Sequence, residues 1–208
     1  MGKLEQNNVG RAAGVVSFYT LMSRILGLIR DMVMASFLGT GMTADAFIVA
    51  FRIPNLLRRL FAEGSLTNAF IPIFTEYLTT KPKKDAFELA RTVLSILTCA
   101  VTLVAVFGII FSPLIVRIMA PGFGGEGEKY ELTVLLTRIT FPYIFIISIV
   151  AFFMGILNSL KRFAAPAAAP IFLNLGMIGS VFLISSKYME PSLSLAIGVL
   201  IGGILQIG

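Results

Sequence analysis

Four stretches of this chain, residues 92–116, 139–160, 163–186 and 191–208, contain no Asp, Glu, Lys or Arg. At about 1.5 Å of rise per residue, most of them are long enough as helices to cross a hydrocarbon layer about 30 Å thick. They read as membrane spans. Only 13% of the residues are charged, against about 25% in an ordinary soluble domain, so a soluble globular fold lacks the polar surface it needs. Two further apolar segments, 15–37 and 44–74, are also long enough to span but carry charges inside them. A cleaved signal peptide is a poor description of the first, because Arg24, Arg30 and Asp31 interrupt the apolar run and no small-residue cleavage motif follows. The expected fold class is all-α membrane, with spans near 15–37, 44–74, 92–116, 139–160, 167–186 and 191–208.

The charges that remain follow a topology. Lys3, Arg11, Lys81, Lys83, Lys84, Arg91, Lys161 and Arg162 fall on the side of the N-terminus, and Arg117, Lys129 and Lys187 on the other. Cytoplasmic loops carry the excess of Lys and Arg, so the N-terminus is expected in the cytoplasm. The net charge of +6 is thereby attributed to the membrane and not to nucleic acid. Residues 112–131 form the longest external loop, and Pro121-Gly122-Phe123-Gly124-Gly125 within it favours turns over helix. The last apolar window runs to Gly208 without a polar flank, so the sequence reads as part of a longer protein.

Histidine is absent, which removes His-based acid–base catalysis, His metal sites and His pH switches. The single cysteine, Cys99, lies within the third span and reads as a packing residue, with no intrachain disulfide available to it. No metal ligands cluster, and no Walker-type glycine loop or nucleophile elbow is present. No cofactor is expected.

The first two spans carry the chemistry. An ionisable group at the bilayer centre costs at least about 2.5–3.5 kcal/mol on insertion scales, so it is retained where it faces a partner or a wet cavity. Arg24 and Asp31 lie two turns apart on nearly one helix face while Arg30 points elsewhere, and a bend at Gly27 would let the three converge. In the second span Asp45, Arg52, Arg59 and Glu63 fall within about 40° of one another. Arg58 lies on an adjacent flank, and Arg59 and Glu63 are spaced for an internal ion pair. Pro54 removes a backbone hydrogen bond to Ala50 and is expected to kink this helix. Arginines near span ends can instead snorkel to the interface, and buried Arg and Asp can simply pair between helices. Yet five arginines, at 24, 30, 52, 58 and 59, face three carboxylates, at 31, 45 and 63. The surplus is positive. The guanidinium fork suits phosphate or carboxylate and stays charged when desolvated, so a phosphate-bearing ligand and transport are the simplest reading.

These residues also carry a resemblance. Ser23-Arg24-Ile25-Leu26-Gly27, Arg30-Asp31, Ala44-Asp45-Ala46-Phe47 and Pro54-Asn55-Leu56-Leu57-Arg58-Arg59-Leu60-Phe61-Ala62-Glu63-Gly64 resemble the MurJ (MviN) family of lipid II flippases. Ala69-Phe70-Ile71-Pro72, Ala120-Pro121-Gly122-Phe123, Thr140-Phe141-Pro142-Tyr143, Leu157-Asn158, Arg162-Phe163, Pro166, Pro170 and Asn174 extend it over nearly the whole chain. Ser65-Leu66-Thr67-Asn68 departs from the Ala-Phe-Ser-Gln type but keeps its polar pattern.

The resemblance implies the multidrug/oligosaccharidyl-lipid/polysaccharide exporter fold, two lobes of about six helices each around a central cavity, with this chain as the N-terminal lobe. It implies transfer of undecaprenyl-pyrophosphate-linked disaccharide-pentapeptide, lipid II, across the bacterial inner membrane by alternating access. Carried onto this sequence, the family's cavity residues fall on Arg24, Arg30, Asp31, Asp45, Arg58 and Glu63, with Arg52, Arg59 and Asn55 as secondary candidates. Lipid II and membrane lipids are the implied partners, and contacts with cell-wall synthesis proteins fit the same setting. A related exporter of another lipid-linked glycan, a drug/ion antiporter, a membrane enzyme acting on polyprenyl-phosphate sugars, and a non-transporting scaffold are the competing readings. The enzyme reading would draw its acids from Glu126, Glu128 and Glu131. The missing second lobe implies that this chain alone does not transport.

Overall fold

The computed structural model describes residues 3–58, 69–185 and 189–207. Every regular element among them is helical. In chain order these are α1 (Lys3–Leu38), α2 (Met42–Arg58), α3 (Ile71–Thr80), α4 (Lys83–Ile110), α5 (Ser112–Met119), a short 3-10 turn (Pro121–Phe123), α6 (Glu128–Thr140), α7 (Tyr143–Ser159), α8 (Ala164–Ser180) with a π-helical extension (Val181–Ser185), and α9 (Pro191–Leu205). By length and composition, Lys83–Ile110, Glu128–Ser159 and Ala164–Ser185 are long and apolar enough to cross a membrane, and α9 is apolar but shorter.

The element boundaries differ from the sequence expectation in three places, each for a local reason. The first helix starts at Lys3, well before residue 15, and stops where Gly39 takes a left-handed conformation (φ +66°), its N–H donating to Ala35 O at 3.0 Å. The apolar run 92–116 is two helices. Phe111 separates α4 from α5, and Pro113 sits in the first turn of α5, where a missing N–H costs nothing. The segment expected to turn, 112–131, therefore begins with a helix and turns only at Gly124, Gly125 and Gly127, all at positive φ. The run 139–160 is likewise the second half of a longer rod, because α6 starts at Glu128 and is joined to α7 through Phe141-Pro142.

Pro54 lies inside α2 and is buried. The carbonyl it leaves without its helical donor, that of Ala50, has the Thr140 hydroxyl of α6 at 3.3 Å, and that single O–H has a nearer acceptor in its own helix, Leu136 O at 2.9 Å.

The centre of the bundle gathers Phe47 and Ala50 of α2, Leu136 of α6, Tyr143 and Ile147 of α7, Met177 of α8, and Leu195 and Val199 of α9. A second cluster joins α3 and α7 through stacked rings, with Phe70 4.9 Å from Phe152 and 5.3 Å from Phe74 between centroids, and α4 packs on it with Ala86 and Ala90. Helices α8 and α9 meet backbone to backbone. A Cβ on Gly176 would stand 2.4 Å from the Gly202 Cα, and one on Gly202 would stand 2.8 Å from the Leu173 Cα. Glycine at both positions lets the axes close, the small-residue packing by which helices associate in lipid.

Large apolar side chains cover much of the outside, including Leu28, Leu103, Phe107, Ile110 and Leu183. Cys99 belongs to this outer set; it is exposed and is not a core packing residue. The reason is its face on α4, whose buried residues are Ala86, Ala90, Val101, Ala105 and Gly108.

Candidate functional site

Arg30 sits half-buried on α1, and its guanidinium is fixed from two directions. Nε and Nη2 donate to Asp31 Oδ1 at 3.0 and 2.8 Å, and Nη1 donates to Asn174 Oδ1 of α8 at 3.0 Å. Asn174 is only 5% exposed. Its Nδ2 donates to the Ser23 carbonyl at 3.1 Å, one turn before Gly27, whose Cα faces the same carboxamide. One side chain of α8 therefore ties two points of α1 together and orients its cation. Periodicity placed Arg30 and Asp31 on different faces of α1; the long arginine side chain folds back to its neighbour, and they form a direct ion pair.

Arg30 also lines a cavity of about 500 Å³ between α1, α2, α7, α8 and the C-terminal end of α9, with Phe70 and Ile71 closing one side. Asn55 of α2 lines it too, together with Phe51, Tyr143, Phe152, Asn158 and Gln206. The structure thus brings together Arg30, Asp31 and Asn55 from the sequence candidates. Arg24 is exposed on α1 and Arg52 is exposed on α2, and neither lines this cavity. Arg58 is the last residue of α2, one turn beyond Asn55, and its side chain lies outside the described set. Arg59 and Glu63 lie outside the described residues altogether.

Asp45 is placed elsewhere. Its Oδ2 accepts from Lys129 Nζ at 2.6 Å at the opposite end of α2, and the same ammonium stands 4.2 Å from the centroid of Phe123. The stripe expected from Asp45 through Arg52 is in this structure anchored at its start by a cation from α6. The carboxylate is spoken for, which leaves the arginines with less neutralisation than the residue count alone implied. Among the described residues, no carboxylate lies within ion-pair distance of Arg24 or Arg52.

Three polar residues of the site carried no charge signal and were not singled out as site residues: Asn158, Asn174 and Gln206. Asn158 and Asn174 stood only as motif residues in charge-free stretches; for Gln206, its place as the sole long carboxamide in residues 191–208 was the available hint. A further polar link holds α5 to α6, with Arg138 Nε donating to Ser112 Oγ at 3.0 Å and Ser112 donating on to Ile109 O at 3.0 Å.

Comparison with known proteins locates this arrangement. Residues 34–207 match the family described as Lipid II flippase MurJ. The chain is 42% identical over 192 residues to a probable lipid II flippase MurJ of Buchnera aphidicola, covering 92% of this chain and 38% of the relative. It is 39% identical over 199 residues to the lipid II flippase MurJ of Burkholderia cenocepacia, covering 96% and 39% respectively. Among solved structures, a lipid II flippase MurJ in an inward closed conformation superposes with a TM-score of 0.77 at 33% identity, over 92% of this chain and 40% of that one. The chain spans well under half the length of these relatives.

Proposed function

The chain belongs to the lipid II flippase MurJ family, and from that premise we propose that it forms the N-terminal lobe of a transporter that moves lipid II from the cytoplasmic to the periplasmic leaflet of the bacterial inner membrane. The observation that carries this reading is the oriented guanidinium of Arg30 on the wall of a cavity within an apolar helical bundle. A cation kept in such a bundle is costly unless it serves a ligand or a partner. Arg24 and Arg52 add positive charge on the same two helices without a described carboxylate beside them. A pyrophosphate linked to a lipid tail satisfies that surplus, and the apolar exterior leaves the tail in the membrane.

Transport by alternating access needs a second lobe to close against the first. The arginines of α1 and α2 supply half of the cavity in this reading, and the remainder of a full-length relative supplies the rest. In the same reading the N-terminus is cytoplasmic, supported by the distribution of loop cations, and the chain crosses six times, supported by its six apolar runs. The decisive experiment reconstitutes the full-length protein in vesicles loaded with fluorescent lipid II and follows its arrival in the opposite leaflet. Protein-dependent transfer is expected, together with transfer lost on replacing Arg30. Vesicles in which the purified protein moves no lipid II, while remaining folded, would remove the proposal.

A further inference from the structure

Arg138 is exposed on α6 and lies outside the Arg30 cavity. Its Nε donates to Ser112 Oγ at 3.0 Å, and Ser112, fully buried, donates on to Ile109 O. The arginine is thus anchored at its neck, while both terminal nitrogens are without a partner among the described residues. Two turns nearer the start of α6, on nearly the same face, Glu131 is exposed with no cation within ion-pair distance among the described residues. Both residues line one groove of about 190 Å³, floored by Pro113, Tyr130, Val134 and Leu135. Glu131 also borders a neighbouring hollow with Glu128 and Glu190, and the cation of that turn, Lys129, is held by Asp45. The groove therefore has a cationic end, an acidic end and an apolar floor.

Its depth fits a membrane boundary. The rod Glu128–Ser159 has 32 residues, about 48 Å of helix, and overhangs a hydrocarbon layer of about 30 Å at both ends. Arg138 stands about 15 Å from the start of that rod, just inside the layer. Side chains lean toward the N-terminus of their helix, so its guanidinium reaches outward to the headgroups and closes much of the two-turn gap to Glu131. We infer that this groove seats the headgroup of a membrane phospholipid bearing a phosphate and a primary ammonium, as phosphatidylethanolamine does. The phosphate oxygens accept from the Arg138 terminal nitrogens, and the ammonium stands further out against Glu131. The glycerol and upper acyl carbons lie on Pro113, Val134 and Leu135. An anionic headgroup would suit Arg138 but meet repulsion at Glu131, so the zwitterion alone matches both ends. The site is independent of what the lobe transports.

The test titrates phosphatidylethanolamine and phosphatidylglycerol with identical acyl chains onto delipidated full-length protein in detergent, and reads the affinity of the first bound lipid by native mass spectrometry. Wild-type protein is expected to hold phosphatidylethanolamine roughly three- to tenfold more tightly than phosphatidylglycerol. Glu131→Gln should abolish that preference by weakening phosphatidylethanolamine, with phosphatidylglycerol bound no more weakly. Arg138→Gln should weaken both lipids, by roughly threefold or more. Because Arg138 also ties α5 to α6, its loss can disturb the fold; Glu131 is exposed and unpaired among the described residues, so Glu131→Gln decides the matter by itself. Equal affinity of the wild type for the two lipids overturns the site, as does a preference that survives Glu131→Gln. A groove covered by the second lobe leaves every affinity unchanged in both variants, and that result overturns it equally.

Discussion

Arg30 owes its orientation to two groups of unlike kind: a carboxylate that supplies charge and a carboxamide that supplies geometry. Arg24 and Arg58 are the cations expected to clamp the pyrophosphate, through charge-assisted hydrogen bonds of about 1.5–3 kcal/mol each. Replacing either by alanine in the full-length protein should abolish flipping at normal membrane abundance. Arg58→Lys keeps the charge and loses the planar fork, so it should also be impaired; normal flipping in both alanine variants would take these arginines out of the mechanism. Asp45 calls for a different experiment, because its partner is Lys129. The pair is largely exposed, and such pairs contribute about 0–1 kcal/mol, so Asp45→Asn should shift stability little. If Asp45 acts only by anchoring α2 to α6, Asp45→Lys should impair flipping and the double exchange Asp45→Lys with Lys129→Asp should restore it. A swap that restores nothing would return Asp45 to substrate binding. The sequence alone exposed the arginines, because charge in an apolar run is conspicuous. It hid the partners: helical periodicity treats side chains as directions and misses an arginine folding back on its neighbour, and an uncharged asparagine such as Asn174 raises no signal of its own.

Among the elements, α8 and α9 are bound most closely, and they are bound through what they lack. Gly176 and Gly202 bring backbone against backbone, so an added methyl meets backbone atoms that cannot swing aside, while one on Gly198 meets the Ser180 side chain first and then the Gly176 carbonyl at 3.0 Å. Gly202→Ala should lower stability by about 1–3 kcal/mol, the usual range for overpacking. Gly179 is the internal control, since nothing lies within 4 Å of its would-be Cβ; Gly179→Ala should be neutral or stabilising by up to about 1 kcal/mol. Thermal unfolding of both variants in the same detergent measures the contrast, and equal midpoints would refute the close-packing account. The spacing of Gly198 and Gly202 was a legible signal for this contact, because residues four apart share one helix face. Pro54 shows the complementary limit. The lost hydrogen bond to Ala50 was readable from the sequence, but the buried Thr140 hydroxyl that approaches the freed carbonyl comes from 90 residues away in the chain, a separation no local pattern reports. Thr140→Val should therefore cost about 1 kcal/mol, measured in the same assay.

At the scale of the whole molecule, hydropathy made the helical membrane class legible because long charge-free runs admit few other folds. The bounds of the spans were less so. A run such as 92–116 registers apolarity and not the breaks that Phe111 and Pro113 impose, and a rod such as Glu128–Ser159 carries charges that hydropathy excludes. Orientation rests on a different quantity, the eight loop cations on one side against three on the other. In the proposed orientation the richer side faces the cytoplasm, and with it the turn between α3 and α4, with Lys81, Lys83 and Lys84. A single cysteine introduced at Lys84 tests this directly, in a full-length variant whose Cys99 has been replaced. That replacement leaves position 84 with the single thiol, so every signal is assigned to it. Lys84 itself is well suited to the change: its contact with Glu88 is a 3.9 Å exposed pair within one turn, worth little to the fold. In intact cells a membrane-impermeant maleimide should leave the new thiol unmodified, and after permeabilisation it should modify it fully. Labelling from outside intact cells would invert the lobe, place the Arg58 end of α2 at the wrong face for substrate entry, and overturn the proposed direction of transfer.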